Sequence, residues 1–412
     1  MELLSSFRVL DLSDEKGSLA GRILADLGAD VLKLEPPGGD PCRRRGPFPK
    51  DEPDPEKSLS WLACNLNKRG LTLNLASGRG REILARLVKT ADVVIESFPP
   101  GFLARLGLGY DDLCRIKPEV ILTSVTPFGQ SGPYRDFKAS DLTLWNLGGM
   151  AYVSGDPDRA PLRISQPQAY LQGGAAAAGG AMIAAYHREI TGVGQWVDVS
   201  ILEAVVHTLM NVAPFWDVNR VILKRAGSFR TGLSTAANQR LIWPCKDGHI
   251  NFPIIGGSHG SRTNWALMDW MEEEGMGDEY LRTINWDEFD MAKAAQEEFD
   301  RLEVPISRFF ASHTMEEMYQ GAVSRRMMLY PVYTVKNLRE DPQLAYREFW
   351  TEVYQANLGR SLKVPGSALV VNGQRPALKP APGPGEHNRE IYVGELGLDP
   401  AELVELKAGG VI

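Results

Sequence analysis

The sequence predicts an α/β protein built on a parallel, doubly wound sheet, and three observations point to it. Apolar runs of strand length recur: FRVLDLS (7–13), DVLKLEP (30–36), DVVIESF (92–98) and VILTSVTPFG (120–129). Between them lie stretches with apolar residues at helical spacing, around Gly17 to Leu27, in REILARLVKTA (81–91) and from Leu103 to Ile116. Strand and helix therefore alternate, the pattern of a sheet whose strands are joined by helical crossovers.

In order, the first strand leads into the Gly17–Leu27 helix and the second strand, and a loop rich in Pro, Gly and Arg follows. The next helix, strand, helix and strand complete the first half. The stretch ISQPQAYLQGGAAAAGGAMIAAYH (164–187) then opens polar and uncharged and continues as a helix of Gly and Ala, from about Gln172 to Arg188. A strand, QWVDVS, and an apolar helix from Ile201 to Val218 come next. From about Lys224 the pattern changes. RLIWPCKDGHINFPII reads as a hairpin turning at Asp247-Gly248, and the acidic stretch MDWMEEEGMGDEY leads into short helices. Three regions are expected: 1–224, a smaller domain over 225–330, and a return segment over 331–412 that ends in the helix of DPAELVELKAGGVI.

At 412 residues, 43% hydrophobic and 24% charged, the chain has the composition of an ordinary globular protein of two or three domains. A net charge of −7 argues against a general nucleic-acid binder, although Arg43-Arg44-Arg45 and Lys68-Arg69 can meet phosphates locally. As a loop of arginines, Arg43 to Arg45 read as solvent-exposed. The opening MELLSSFRVLDLSD lacks a basic region followed by an apolar run, and the small-residue run Gly173–Ala185 falls short of the roughly 20 residues that span a bilayer. A cytoplasmic protein without a membrane segment is expected. Cys42, Cys64, Cys114 and Cys245 are scattered without CxxC pairing, and the six histidines show no metal spacing, so reduced thiols and no metal are expected. Trp61, Trp145, Trp196, Trp216 and Trp350 are expected in cores.

A doubly wound sheet raises the question of a dinucleotide. The turn after the first strand, SDEKGS, has one glycine where a dinucleotide fingerprint needs three, so NAD is disfavoured. Neither a GxxxxGK[ST] loop nor a GxSxG elbow is present.

Six strings occur in order: KLEPPGGDPCRRRGPF, NLNKRGLTLNL, IESFPPGFLARLGLGYDDL, SVTPFGQSGPY, HREITGVGQWVDVSILEA and GEHNREIYVGELGL. Together they resemble the class III coenzyme A transferases, the family of formyl-CoA:oxalate and carnitine CoA-transferases and the α-methylacyl-CoA racemases. The resemblance covers nearly the whole chain. It implies a Rossmann-like large domain made from both chain ends, a small α+β domain between, and two chains interlocked as rings. It also implies coenzyme A, carried by an acyl-CoA substrate, on the large domain. Positions matching the family's CoA contacts are Lys16 and Gly17, Ser97 and Phe98, Arg105, and Lys138. Glycines 256, 257 and 260 match a flexible loop that covers the active site in relatives, a role that glycine-rich backbone suits.

In this family an aspartate at the start of the Gly/Ala helix attacks the acyl-CoA thioester, giving a mixed anhydride and CoA thiolate. The thiolate returns to form an aspartyl-CoA thioester, from which the acceptor acid takes CoA. Aligned through His187-Arg188-Glu189 and glycines 174 and 180, the aspartate falls on Tyr170. Every residue from Arg159 to Arg188 lacks a carboxylate side chain, so a shifted alignment restores none. A phenol, with a pKa of about 10, is protonated at neutral pH and offers no carbonyl carbon for a thioester. Asp156 and Asp158 lie in a turn-forming GDPDR. The racemase acid–base pair matches Ser140-Asp141, which retains Asp141 and lacks the histidine.

The expected role is therefore a non-catalytic subunit, partnered by a homologous subunit that bears the aspartate. Its reaction moves CoA from a donor such as succinyl-CoA to an aryl-substituted or dicarboxylic acid. The alternatives are a homodimeric acyl-CoA enzyme using Asp141 or Tyr170, and a CoA-binding regulatory protein without turnover.

Overall fold

The computed structural model describes residues 3–231 and 237–412. It divides the chain into two units. One comprises 1–150, 163–217 and 342–412, and the other 151–162 and 218–341.

The larger unit holds six strands: β1 (Arg8–Asp11), β2 (Asp30–Glu35), β3 (Arg69–Thr72), β4 (Val93–Glu96), β5 (Ile121–Thr126) and β6 (Trp196–Ser200). They pair in the order β3-β2-β1-β4-β5-β6, every pair parallel. Successive side chains point to opposite faces. Val9, Val31, Val93, Ile95 and Ile121 accordingly enter one core, and Leu10, Leu32, Val94 and Leu122 another. The connecting helices are α1 (Ser18–Asp26), α2 (Leu59–Asn65), α3 (Gly78–Val88), α4 (Phe102–Arg105), α5 (Tyr110–Ile116), α6 (Asp141–Leu147), α7 (Gln168–Thr191), α8 (Ile201–His207) and α9 (Val212–Asn219).

The end of the chain returns to this sheet. Ile391, Tyr392 and Leu406 join the second core, and the Tyr392 hydroxyl donates to Thr72 O at 2.8 Å. Gly70 permits the approach, because a Cβ there would lie 2.6 Å from Gly383 O.

Two expected helices are broken. The Leu103–Ile116 stretch divides at Gly107, whose φ of +71° is left-handed backbone. The Ile201–Val218 stretch divides after His207, since Pro214 clashes with a continuous turn before it and is tolerated only in the first turn of α9. By contrast, α7 is longer than expected and stops at Gly192, with φ +72°. Its small residues allow close packing. A Cβ on Gly173 would lie 2.7 Å from Ile201 Cγ1, and one on Gly174 2.8 Å from Leu19 Cβ.

The smaller unit begins at 218 and ends at 341 rather than spanning 225–330, and it takes in 151–162. The reason is local. Arg225 donates to Tyr152 O at 3.0 Å and Gly227 N to Gly155 O at 3.0 Å, tying that segment to the start of the unit. Its hairpin pairs Ile242–Cys245 with Gly248–Asn251 and turns at Lys246-Asp247, one residue earlier than expected. Trp243, Phe252, Phe309 and Phe310 form its core. Among the described residues no helix is long and apolar enough to cross a membrane.

Candidate active site

The C-terminal ends of β1, β2, β3 and β4 carry the site, where open α/β sheets bind ligands. Its centre is the turn from β1 to α1, residues 12–17, which is held from below by a buried charge network. Asp11 Oδ1 accepts from Ser13 N at 3.0 Å and Ser13 Oγ at 2.6 Å, while Lys68 Nζ lies 2.7 Å from Asp11 Oδ2. Lys33 Nζ donates to Ser13 O. Burial opposes the charge on Asp11, but Lys68 and Lys33 together outweigh it and hold its carboxyl below the usual range. Gly17 is buried at the end of the turn, where a Cβ would lie 2.7 Å from Ser13 Cβ.

Above this base the turn presents Asp14, Glu15 and Lys16. Asp14 Oδ1 accepts from Ser97 Oγ at 2.8 Å and from Lys16 N at 3.0 Å, and its other oxygen pairs with Lys16 Nζ. Glu15 pairs with Arg45. The loop bearing Arg45 is anchored by Arg43, which corrects the expectation of three exposed arginines. Arg43 is buried, bonded to both oxygens of Glu35 at 2.6 and 2.7 Å, with its guanidinium 4.0 Å from the centre of the Trp61 ring.

Two clefts flank the turn and share Asp14, Glu15 and Arg45 as walls. The first, about 400 Å³, is closed by Lys16, Asp141, Trp145, Arg163 and Tyr170. Asp141 accepts from Tyr170 N at 3.0 Å and so caps the start of α7. Burial pushes its carboxyl up, partly offset by the Tyr170 and Ala169 N–H groups and the charge of Arg163. Burial, followed by the negative charges of Glu15, Asp14 and Asp141, raises the Tyr170 phenol well above its ordinary value, so it is a neutral hydroxyl at physiological pH.

The second cleft, about 390 Å³, is mainly apolar, with Leu12, Leu34, Leu73, Phe98 and Phe102 among its walls and Ser97 at one edge. The Phe98 and Phe102 rings stack with centroids 4.6 Å apart. Beneath it Glu96 is buried, and desolvation raises its pKa to about 7 against hydrogen bonds from Ser124 and Phe98 N.

The sequence model of CoA-transferase family III matches residues 4–388. The chain belongs to this family. It is 35% identical to succinyl-CoA:(R)-benzylsuccinate CoA-transferase subunit BbsE of Thauera aromatica, over 99% of this chain and 98% of that one. It is also 30% identical to succinyl-CoA–D-citramalate CoA-transferase of Chloroflexus aurantiacus, over 99% and 98%. A CaiB/BaiF family protein from Brucella suis shares the fold, with a TM-score of 0.80 and 26% identity, covering 96% of this chain and 98% of that one.

In this family III chain the first cleft gathers Lys16, Asp141 and Tyr170, and the second Ser97 and Phe98. Arg105 and Lys138 are exposed and line neither. Gly256, Gly257 and Gly260 do not form a free loop. Gly256 precedes a helix over Gly257–Glu273 in the smaller unit, and a Cβ on Gly260 would lie 2.1 Å from Ile255 O. The same helix takes up Met268–Glu273, about half of the acidic stretch expected to precede short helices. Trp61 and Trp145 are buried as expected, whereas Trp196 and Trp216 are 48% and 46% exposed. Sequence reasoning missed Glu15, Arg45 and Arg163 as cleft residues. The position of Glu15 directly before two matched residues, Lys16 and Gly17, was the available signal for the first. No group of three or more His, Cys, Asp or Glu arranged for a metal occurs among the described residues.

Proposed function

We propose that this chain is the aspartate-lacking subunit of a heteromeric, cytoplasmic CoA-transferase. The enzyme would move CoA from an acyl-CoA such as succinyl-CoA to an aryl-substituted or dicarboxylic acid such as benzylsuccinate. The observation that carries the reading is Tyr170. By the sequence reading it takes the position of the family nucleophile, and it lies in the first turn of α7 and in the wall of the first cleft as a neutral phenol. Nearby carboxylates are already engaged: Asp141 by backbone N–H groups, Asp14 by Lys16 and Glu15 by Arg45.

CoA is assigned to the second cleft, its aromatic or aliphatic parts against Phe98 and Phe102, with the acyl end passing the shared turn to the first cleft. Lys16 and Ser97 then serve the pantetheine side, Gly17 lets the turn close, and Arg105 and Lys138 meet phosphates from the surface. A homologous subunit carrying the aspartate would replace the second copy in the interlocked pair. An apolar stripe on α7, the exposed Ile183, Tyr186 and Ile190, supports such a partner. The relative from Thauera aromatica is itself a subunit.

Native mass spectrometry of the complex captured from source cells tests the partner: a similar-sized homologue with aspartate at the place of Tyr170 is expected. Tyr170→Asp tests the site. The isolated variant is expected to form a hydroxylamine-sensitive CoA thioester that the unaltered chain does not. Turnover by the unaltered chain alone, lost in Tyr170→Phe, overturns the reading. Because Asp141 also lines the first cleft, a homodimeric acyl-CoA enzyme is the second reading, and it predicts turnover by the chain alone that Asp141→Asn removes.

A further inference from the structure

Glu96 ends β4 beneath the second cleft, only 5% exposed, and the proposed function gives it no role. It enters no ion pair among the described residues; its hydrogen-bond partners are neutral donors. Glu96 Oε2 accepts from Phe98 N at 2.7 Å. Its second partner, the Ser124 hydroxyl, already accepts from the Trp196 indole N–H at 3.0 Å, which leaves the Ser124 proton to point at Glu96. A chain of donors thus runs from β6 through β5 to β4 and, across Glu96, reaches the backbone of Phe98. Phe98 is a wall of the second cleft, its ring stacked on Phe102. Ser97, between them, is fixed separately, since its Oγ donates to Asp14 Oδ1 and accepts from Asp14 N, both at 2.8 Å. Among nearby charges, Lys16 favours the ionised form of Glu96 and Asp14 the neutral one, both from the turn between β1 and α1. On β6, Asp198 pairs in register with Ser124 but is exposed and taken up by Gln130 N. Arg105 of α4 is exposed and donates to Pro100 O. Tyr110 of α5, stacked on Trp196, is a neutral phenol whose pKa burial and Cys114 raise to about 12. Burial opposes the charge on Glu96 and the two donors favour it, a balance struck near neutral pH.

We propose that Glu96 is a positioning residue for coenzyme A: its ionised carboxylate holds Phe98 against Phe102 as a wall of the second cleft, and its protonation loosens that wall. Protonation replaces charge-assisted hydrogen bonds by neutral ones, about half as strong. Affinity at this cleft therefore rises with pH as Glu96 ionises. The inference rests on the assignment of CoA to the second cleft in the proposed function, but its test measures binding and needs no turnover.

The test is titration calorimetry of the full chain with dephospho-CoA between about pH 6 and about pH 8. That ligand lacks the phosphate monoester of CoA, whose second pKa of about 6 falls in the same range. Binding is expected to tighten by about three- to tenfold across the range, the difference between a charged and a neutral hydrogen bond. Glu96→Gln keeps an acceptor for Phe98 N and should make the profile flat, and Phe98→Ala should flatten it as well. Ser124→Ala should move the midpoint to higher pH, because the lost donor favours the ionised form. Fluorescence of Trp196, taken as the difference from Trp196→Phe, should follow the same titration without ligand and lose it in Glu96→Gln. A flat or falling profile in the unaltered chain, or a slope or Trp196 titration that survives in Glu96→Gln, overturns the proposal. Absence of binding at every pH overturns the cleft assignment and the proposal together, whereas binding with a flat profile overturns the proposal alone.

Discussion

Lys68→Met removes one half of a fully buried ion pair. The ammonium lies 2.7 Å from Asp11 Oδ2 and donates to Ser18 O and Asn65 Oδ1, both at 2.9 Å, and neither Lys68 nor Asp11 has any exposed side-chain surface. Deleting one partner of such a pair costs about 3–5 kcal/mol, because the other charge stays out of water. Lys33 still acts on Asp11, which places the expected loss near the lower end, at about 3 kcal/mol. The effect carries a pH signature. In the unaltered protein the Asp11 pKa is lowered below 3.8, so its contribution is present above that pH and is lost only as pH falls through the lowered value. In Lys68→Met burial prevails and raises that pKa. The folded state then binds a proton that the unfolded state has released, and the loss shrinks as the solution is acidified. Urea unfolding at neutral and mildly acidic pH measures both effects, and Asp11→Asn added to Lys68→Met should recover most of the loss. A variant within about 1 kcal/mol of the unaltered protein at neutral pH, the scale of an ordinary surface change, refutes the argument that this pair holds the turn.

Glu96 supplies an opposite case, with its pKa raised from 4.5 to about 7 by burial. Between those values the folded state holds the extra proton, so stability falls by about 3 kcal/mol as pH rises through that window, and Glu96→Gln should flatten the profile in thermal melts. Phe98→Ala removes one ring of the stacked pair in the second cleft. CoA binding by calorimetry should weaken by up to about tenfold, the worth of an aromatic pair beyond its area. Unchanged affinity would move CoA out of that cleft.

Much of the large unit was legible because its signals are local. Apolar runs and helical spacing reported β1, β2, β4, β5 and β6 directly. Strand β3, RGLT, escaped because it is short and half polar. It is a strand through its pairing with β2 and through the returning chain, where His387 N donates to Gly70 O at 2.9 Å and Thr72 N to Asn388 Oδ1 at 3.0 Å. The glycines at 256, 257 and 260 misled for a related reason. Glycine reads as loop in isolation, yet Gly256 and Gly260 serve close packing at a helix start.

By itself, the sequence determined the alternation of strand and helix, the close-packed Gly/Ala helix, the family, and the absence of a carboxylate from Arg159 to Arg188. Those properties depend on residue type and near neighbours. Tertiary structure alone decided which charges in the clefts are satisfied. Lys68 meets Asp11 across 57 residues, Arg45 meets Glu15 across 30, and the Tyr170 N–H meets Asp141 across 29. Arg163, exposed at the same cleft, acts on Asp141 through its charge. A charge has no preferred partner along the chain. Its partner is whichever group the fold brings within hydrogen-bond reach, and burial then sets how strongly the two are held.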